Sequence, residues 1–155
     1  MDPRKAVFVD TSVLLRLIGI DGDEAAREIA AEFDQRTSAG QQFEIPVTAI
    51  VETGNRIAQL PSDRRRFAEK LAGVLEAVQS GVLPWILRAT VWNEEFVQEL
   101  LDGNATGSTL VDLVGNGRLG TGDVAILVDR DQFERATAYV SVKVWSLDSQ
   151  LSAYG

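Results

Sequence analysis

Val7-Phe8-Val9-Asp10-Thr11-Ser12-Val13-Leu14-Leu15 is an apolar, β-branched run that ends in an aspartate, followed by two hydroxyl residues and a second apolar run. Residues 6–9 are continuously apolar rather than alternating, which predicts a strand buried on both faces of a parallel sheet. Asp10 then stands at the carboxyl end of that strand, and Thr11 or Ser12 is placed to cap a helix beginning at Val13. Ligands of open α/β sheets bind outside the carboxyl ends of the strands. Asp10 is therefore a candidate metal ligand or acid–base group. Its alternative is a purely structural one, a helix-capping aspartate.

Outward from this stretch the chain alternates helical and extended signals. A short helix over 13–20 ends near Gly19 and Gly22, and Asp23 is placed to cap a second helix over 24–38, whose Ala26, Ile29, Ala30 and Phe33 follow the helical period. Residues 43–47 are extended ahead of a helix for which Thr48 is a candidate cap and which carries Glu52 early. A helix over 63–80 follows, opened by Arg64-Arg65-Arg66, which reads as a solvated face. Residues 83–87 form an edge strand containing Pro84, which lacks a ladder donor. Thr90 or Asn93 starts another helix reaching Leu101, and 108–114 is a short amphipathic segment carrying Asp112. The glycine-rich run Gly115-Asn116-Gly117-Arg118-Leu119-Gly120-Thr121-Gly122 lacks the lysine of a phosphate-binding P-loop and serves as a tight connection delivering Asp123 to the start of a long helix. Residues 139–145 alternate as a strand, Asp148 lies just beyond its end, and the tail from Leu151 is a single loose turn.

Composition narrows the chemistry. The 155 residues fit one domain with a sizeable core. There is neither cysteine nor histidine, which removes thiol nucleophiles, Ser-His-Asp arrangements and histidine or thiolate metal sites. Hydrolytic chemistry is left to carboxylates, to a metal held by oxygen, or to Lys, Ser and Thr. The formal net charge of −8 argues against coating nucleic acid through bulk electrostatics, while leaving room for a nuclease with local contacts and a bound cation. The N-terminus enters a strand at once, and no run approaches about 18 apolar residues, so a cytoplasmic protein without a membrane span is expected.

Strands alternating with helices predict an α/β fold with a mostly parallel sheet. Three acids occupy equivalent places in it: Asp10 after the first strand, Glu52 early in the helix after the second, and Asp148 after the last. Asp123 opens the helix before the last strand. Clustered carboxylates repel one another unless a cation neutralises them. Hard divalent ions such as Mg²⁺ or Mn²⁺ prefer such oxygen ligands and act on phosphate-bearing substrates. Glu52 is the most informative of the four, because a glutamate after Ala49-Ile50-Val51 meets no local structural need. Trp85, Trp92 and Trp145 read as core or interface anchors rather than base-stacking platforms.

Four stretches, Val9-Asp10-Thr11-Ser12-Val13-Leu14-Leu15, Thr48-Ala49-Ile50-Val51-Glu52, Gly120-Thr121-Gly122-Asp123-Val124-Ala125-Ile126 and Val144-Trp145-Ser146-Leu147-Asp148, together resemble the PIN-domain family, and in particular the VapC-like toxins of toxin–antitoxin pairs. They frame almost the whole chain. The resemblance implies a single three-layer α/β/α PIN-like domain over residues 1–155 and a Mg²⁺- or Mn²⁺-dependent endoribonuclease. It places the catalytic and metal-binding acids at Asp10, Glu52, Asp123 and Asp148, with hydroxyl neighbours Thr11, Ser12 and Ser146. It also implies an RNA substrate, an antitoxin partner whose peptide blocks the acidic pocket, and a homodimer. The distance from Asp123 to Asp148 is longer than the family pattern, pointing to an extended helix or a loop at 129–132, and Asp112 is a rival for the third acid. A non-catalytic PIN-like module binding protein or RNA is the alternative function. A haloacid-dehalogenase-like phosphatase also opens with an aspartate after a strand, but wants a second aspartate where Ser12 stands.

Overall fold

A computed structural model describes residues 4–137 and 141–155. The first strand, β1 (Lys5–Val9), is the anchor. Around it lie β2 (Gln41–Pro46), β3 (Ile86–Arg88) and β4 (Ser141–Trp145), in the order β3-β2-β1-β4. Every pairing among them is parallel, with Val7 opposite Phe43 and Lys143, and Phe8 opposite Glu44 and Val144. The Tyr139-Val140 part of the expected last strand lies outside the described residues.

Eight helices complete the described chain: α1 (Thr11–Leu17), α2 (Asp23–Ser38), α3 (Val47–Ala58), α4 (Arg64–Gln79), α5 (Glu94–Asp102), α6 (Leu110–Gly115), α7 (Thr121–Ala136) and α8 (Ser149–Ser152). Register sorts the strand side chains into two faces, because paired residues of parallel neighbours point the same way. Phe43 and Trp145 face α2, where Phe33 stacks on Trp85 at 4.4 Å and meets Phe43 and Trp145 edgewise or tilted at 4.8 and 4.6 Å. Phe8 faces the opposite layer and meets Phe133 of α7 at 5.5 Å. The result is the expected α/β/α sandwich, with Trp85 and Trp145 in the core and Trp92 half exposed against Phe96.

The helix α7 is apolar nearly all round from Val124 to Val128, and all five of these residues are buried, as a helix packed between a sheet and further helices requires. It runs unbroken through residues 129–132, so the long interval before Asp148 is an extended helix rather than a loop. A smaller apolar contact of Ile18, Ile57 and Phe67 ties the end of α1 to α3 and α4.

Several expected boundaries shift. The first helix begins at Thr11 and its cap is Asp10, whose carboxylate accepts the Ser12 N–H; Thr11 and Ser12 lie inside the helix, freeing their hydroxyls for tertiary contacts. Gly22, not Asp23, precedes α2, and Pro46, not Thr48, precedes α3, consistent with proline's bias towards the extended conformation at a helix entry. The edge strand is three residues later and shorter than expected, starting beyond Pro84 and Trp85. Asn93, rather than Thr90, caps α5 by accepting the Phe96 N–H at 2.9 Å. Among the described residues no helix is long and apolar enough to cross a membrane.

Candidate active site

Outward from β1 the chain proceeds through β2 to β3 and then crosses to the other side of β1 to form β4. The direction of winding therefore changes between β1 and β4, the kind of place where α/β sheets open a crevice at their carboxyl edge. A cavity of about 310 Å³ lies there, lined by Asp10, Thr11, Ser12, Leu15, Glu52, Asn55, Arg56, Asp123 and Asp148. The four acids thus reach one cavity from the end of β1, the second turn of α3, the first turn of α7 and the turn after β4. Asp112 is exposed on the first turn of α6 and does not line it.

Hydroxyls fix two of the acids and backbone N–H groups the other two. Asp10 is 2% exposed, and its Oδ2 accepts the Ser12 and Ser146 hydroxyls, each at 2.8 Å, besides the Ser12 N–H. Each serine hydroxyl has a single proton to give. With both directed at Asp10, the 3.3 Å approach of Ser12 Oγ to Ser146 Oγ is a contact rather than a further bond. Their lone pairs accept the N–H groups of Leu147 and Asp148 at 2.9 and 3.0 Å. The two serines therefore tie the ends of β1 and β4 together through Asp10. Thr11 Oγ1 donates to Glu52 Oε2 at 2.9 Å, and the same Glu52 carboxylate rests against Gly122 of α7, where a Cβ would come within 1.6 Å of Oε1. Asp123 accepts the Gly120 N–H at 3.1 Å, and Asp148 accepts the Gln150 N–H at 2.8 Å.

Electrostatics shows the acids sensing one another. The Asp123 carboxyl is pushed up to about 6, first by burial and then by the charges of Asp10, Glu52 and Asp148, against the opposing hydrogen bond from Gly120. Among the described residues no group of three or more His, Cys, Asp or Glu is gathered as a ready-made metal cage; each carboxylate is turned towards a local donor. The donor set itself suits a hard divalent cation, being all oxygen. Asp10 Oδ1 is buried without a hydrogen-bond partner. An ionised carboxylate oxygen in that position is costly unless a cation meets it.

Asn55 and Arg56 were not singled out in the sequence. Their signal was the spacing of three and four residues from Glu52, which puts them on the same helix face. Arg64, Arg65 and Arg66 stay outside the cavity, bound to the Leu60 carbonyl, to Glu69 and over the Phe67 ring respectively.

No family model and no curated protein matches the chain. Among solved structures it is similar to VapBC2 from Rickettsia felis bound to a DNA fragment from their promoter, at 12% identity over 91% of this chain and 99% of that chain, with a TM-score of 0.49. A likeness at that level assigns no function.

Proposed function

We propose that the chain is a divalent-metal-dependent endoribonuclease of the PIN type, the toxin of a toxin–antitoxin pair acting in the cytoplasm. The observation that carries this reading is the meeting of Asp10, Glu52, Asp123 and Asp148, from four distant stretches, in one cavity at the carboxyl edge of a parallel sheet. Asp10, Glu52 and Asp123 would hold the cation, and Asp148 would tune the site or hold a second. A Mg²⁺ or Mn²⁺ ion bound there would supply Lewis acidity and activate water for attack on phosphorus.

The chain's own residues supply the rest. Ser12 and Ser146 orient Asp10 so that Oδ1 rather than Oδ2 is left to meet a cation. Thr11 holds Glu52 in place across 41 positions of sequence. The composition, without histidine or cysteine, is compatible with this carboxylate machinery as the means of hydrolysing a phosphodiester. The resemblance at the four stretches extends the proposal to an antitoxin peptide entering the pocket and to a homodimer.

Asp10→Asn tests the reading. The variant should lose cleavage of RNA in Mn²⁺ by at least about a thousandfold, the scale of removing a principal catalytic group, with an unchanged circular dichroism spectrum. Retained cleavage by a folded variant refutes it. The net charge of −8, unfavourable to a polyanionic substrate, favours one competing reading, a non-catalytic binding module of the same fold. Calorimetric titration with Mn²⁺ separates the two, since the module predicts no uptake that depends on these acids.

A further inference from the structure

Among the described residues, Arg56 is the one cationic side chain lining the acidic cavity. Glu52 precedes it by four residues on α3, the spacing and order at which a glutamate and an arginine pair on a helix surface. The chain makes pairs at that spacing elsewhere, Arg36 with Glu32 at 2.8 Å and Arg65 with Glu69 at 3.0 Å. Here it makes none. Glu52 is drawn away by the Thr11 hydroxyl and the close seat on Gly122, and among the described residues the Arg56 guanidinium forms no ion pair. An exposed guanidinium thus stands at the wall of a pocket rich in carboxylates, engaged by none of them.

The geometry points to Arg56 as the residue that grips an RNA phosphate neighbouring the scissile one and so positions the strand over the acids; this rests on the ribonuclease reading above. A guanidinium presents a planar fork that holds two phosphate oxygens at once. Glu52, by turning to Thr11 and α7, leaves that fork open while staying in the cavity itself. The protein's net charge of −8 repels a polyanion at long range, so attraction has to come from cations at the site. One arginine contact then carries a large share of binding. Arg56 also lies in the last turn of α3, where a cation complements the helix dipole. That role alone would alter stability and leave RNA binding unmoved.

The test uses the full chain and an unstructured, end-labelled oligoribonucleotide. Cleavage is followed in Mn²⁺ for the wild type, Arg56→Ala, Arg56→Lys and Arg27→Ala, the last removing an exposed charge on α2 outside the cavity. Equilibrium binding is followed by fluorescence anisotropy at several KCl concentrations, with each change placed in an Asp10→Asn background that keeps the RNA intact. Arg56→Ala should raise KM and Kd by roughly tenfold to a hundredfold, the scale of a charged hydrogen-bonding contact. It should also flatten the slope of log Kd against log salt by about 0.7, the loss of one single-strand phosphate contact. Arg56→Lys should restore the slope and part of the affinity, and Arg27→Ala should match the wild type. If the wild type cleaves RNA and Arg56→Ala retains its KM, Kd and salt slope, the assignment of Arg56 is overturned and the ribonuclease reading stands. If the wild type neither cleaves the RNA nor, as Asp10→Asn, binds it, both are overturned.

Discussion

Asp123 carries a cost that the rest of its helix does not need. Its carboxyl ordinarily titrates near 3.8 and here near 6, so between those values the folded state holds a proton that the unfolded state has released. Stability therefore falls as pH rises from about 4 to about 6 and stays lower above that. Asp123→Asn removes the charge and keeps an oxygen for the Gly120 N–H. In EDTA at pH 7 the variant should be more stable than the wild type by about 1 kcal/mol, the figure being reduced because solvent reaches and screens this partly exposed group. The gain should vanish below about pH 4, where both side chains are neutral. Urea denaturation at pH 3.5, 5 and 7 measures it, and a gain independent of pH would mean that the charge of Asp123, disfavoured by burial and by the neighbouring acids, is not its source. The neighbouring Gly122 makes the converse case. An alanine there gains up to about 1 kcal/mol of helix propensity, but its Cβ occupies the place of Glu52 Oε1. Gly122→Ala should leave stability within about 1 kcal/mol of the wild type and cut RNA cleavage by at least about tenfold, since the carboxylate moves while the fold does not.

At the scale of elements, the edge strand is fastened by an ion pair whose carboxylate is buried and whose guanidinium is partly exposed. Arg88 of β3 donates to Asp129 Oδ1 at 2.9 Å, Thr90 donates to Oδ2 at 2.7 Å, and Asp129 is 1% exposed on α7. The Arg88 guanidinium also lies over the Phe133 ring at 4.7 Å. Removing one partner of a buried pair leaves the other uncompensated, so Asp129→Ala should cost about 3 kcal/mol, and Asp129→Asn, which keeps acceptor and volume, markedly less. Hydrogen exchange should show the loss concentrated in β3 and its flanks, whereas uniform loss across the sheet would deny that the pair acts as a local fastening. None of this was visible in the sequence. Asp129 falls where the sequence leaves an extended helix or a loop open, and a partner 41 positions away has no local trace. Glu44, within the extended run 43–47, is likewise buried without a local sign of it. Its carboxyl is raised by that burial, in spite of Gln42 and Arg88. By contrast the first strand, Asp10 and the start of α7 were legible, since a continuous apolar run and a glycine-to-helix transition depend on local pattern alone. Of the four acids Glu52 was legible as a residue without a local task, whereas Asp10, Asp123 and Asp148 stand at helix starts where each also accepts a backbone N–H. Arg56 and Asn55 were legible only through their spacing from Glu52 on one helix face, and so only once Glu52 is taken to face the cavity. The choice among Asp10, Thr11 and Ser12 as cap was open for a simpler reason: all three residue types cap well.

For the whole molecule, a net charge of −8 with four carboxylates focused on one cavity predicts a stability that responds to divalent cations. A ligand that binds only the folded state stabilises it by about 2.7 kcal/mol at a hundred times its dissociation constant. For a chain of this length that corresponds to a rise in Tm of about 5–10 °C. Mn²⁺ should therefore raise the wild-type Tm at pH 7 well beyond the effect of NaCl at matched ionic strength, which screens surface repulsion without entering the cavity. The rise should shrink at pH 5, where the proton held by Asp123 competes with the cation. Asp10→Asn should abolish most of it, because the buried Oδ1 without a partner is the oxygen a cation gains most by meeting. Scanning calorimetry on the wild type and Asp10→Asn, with and without Mn²⁺, is sufficient. A shift equal to that of NaCl, or one equally large in Asp10→Asn, would place the cations on the acidic surface at large. The carboxylates at the sheet edge would then have no metal to account for their company.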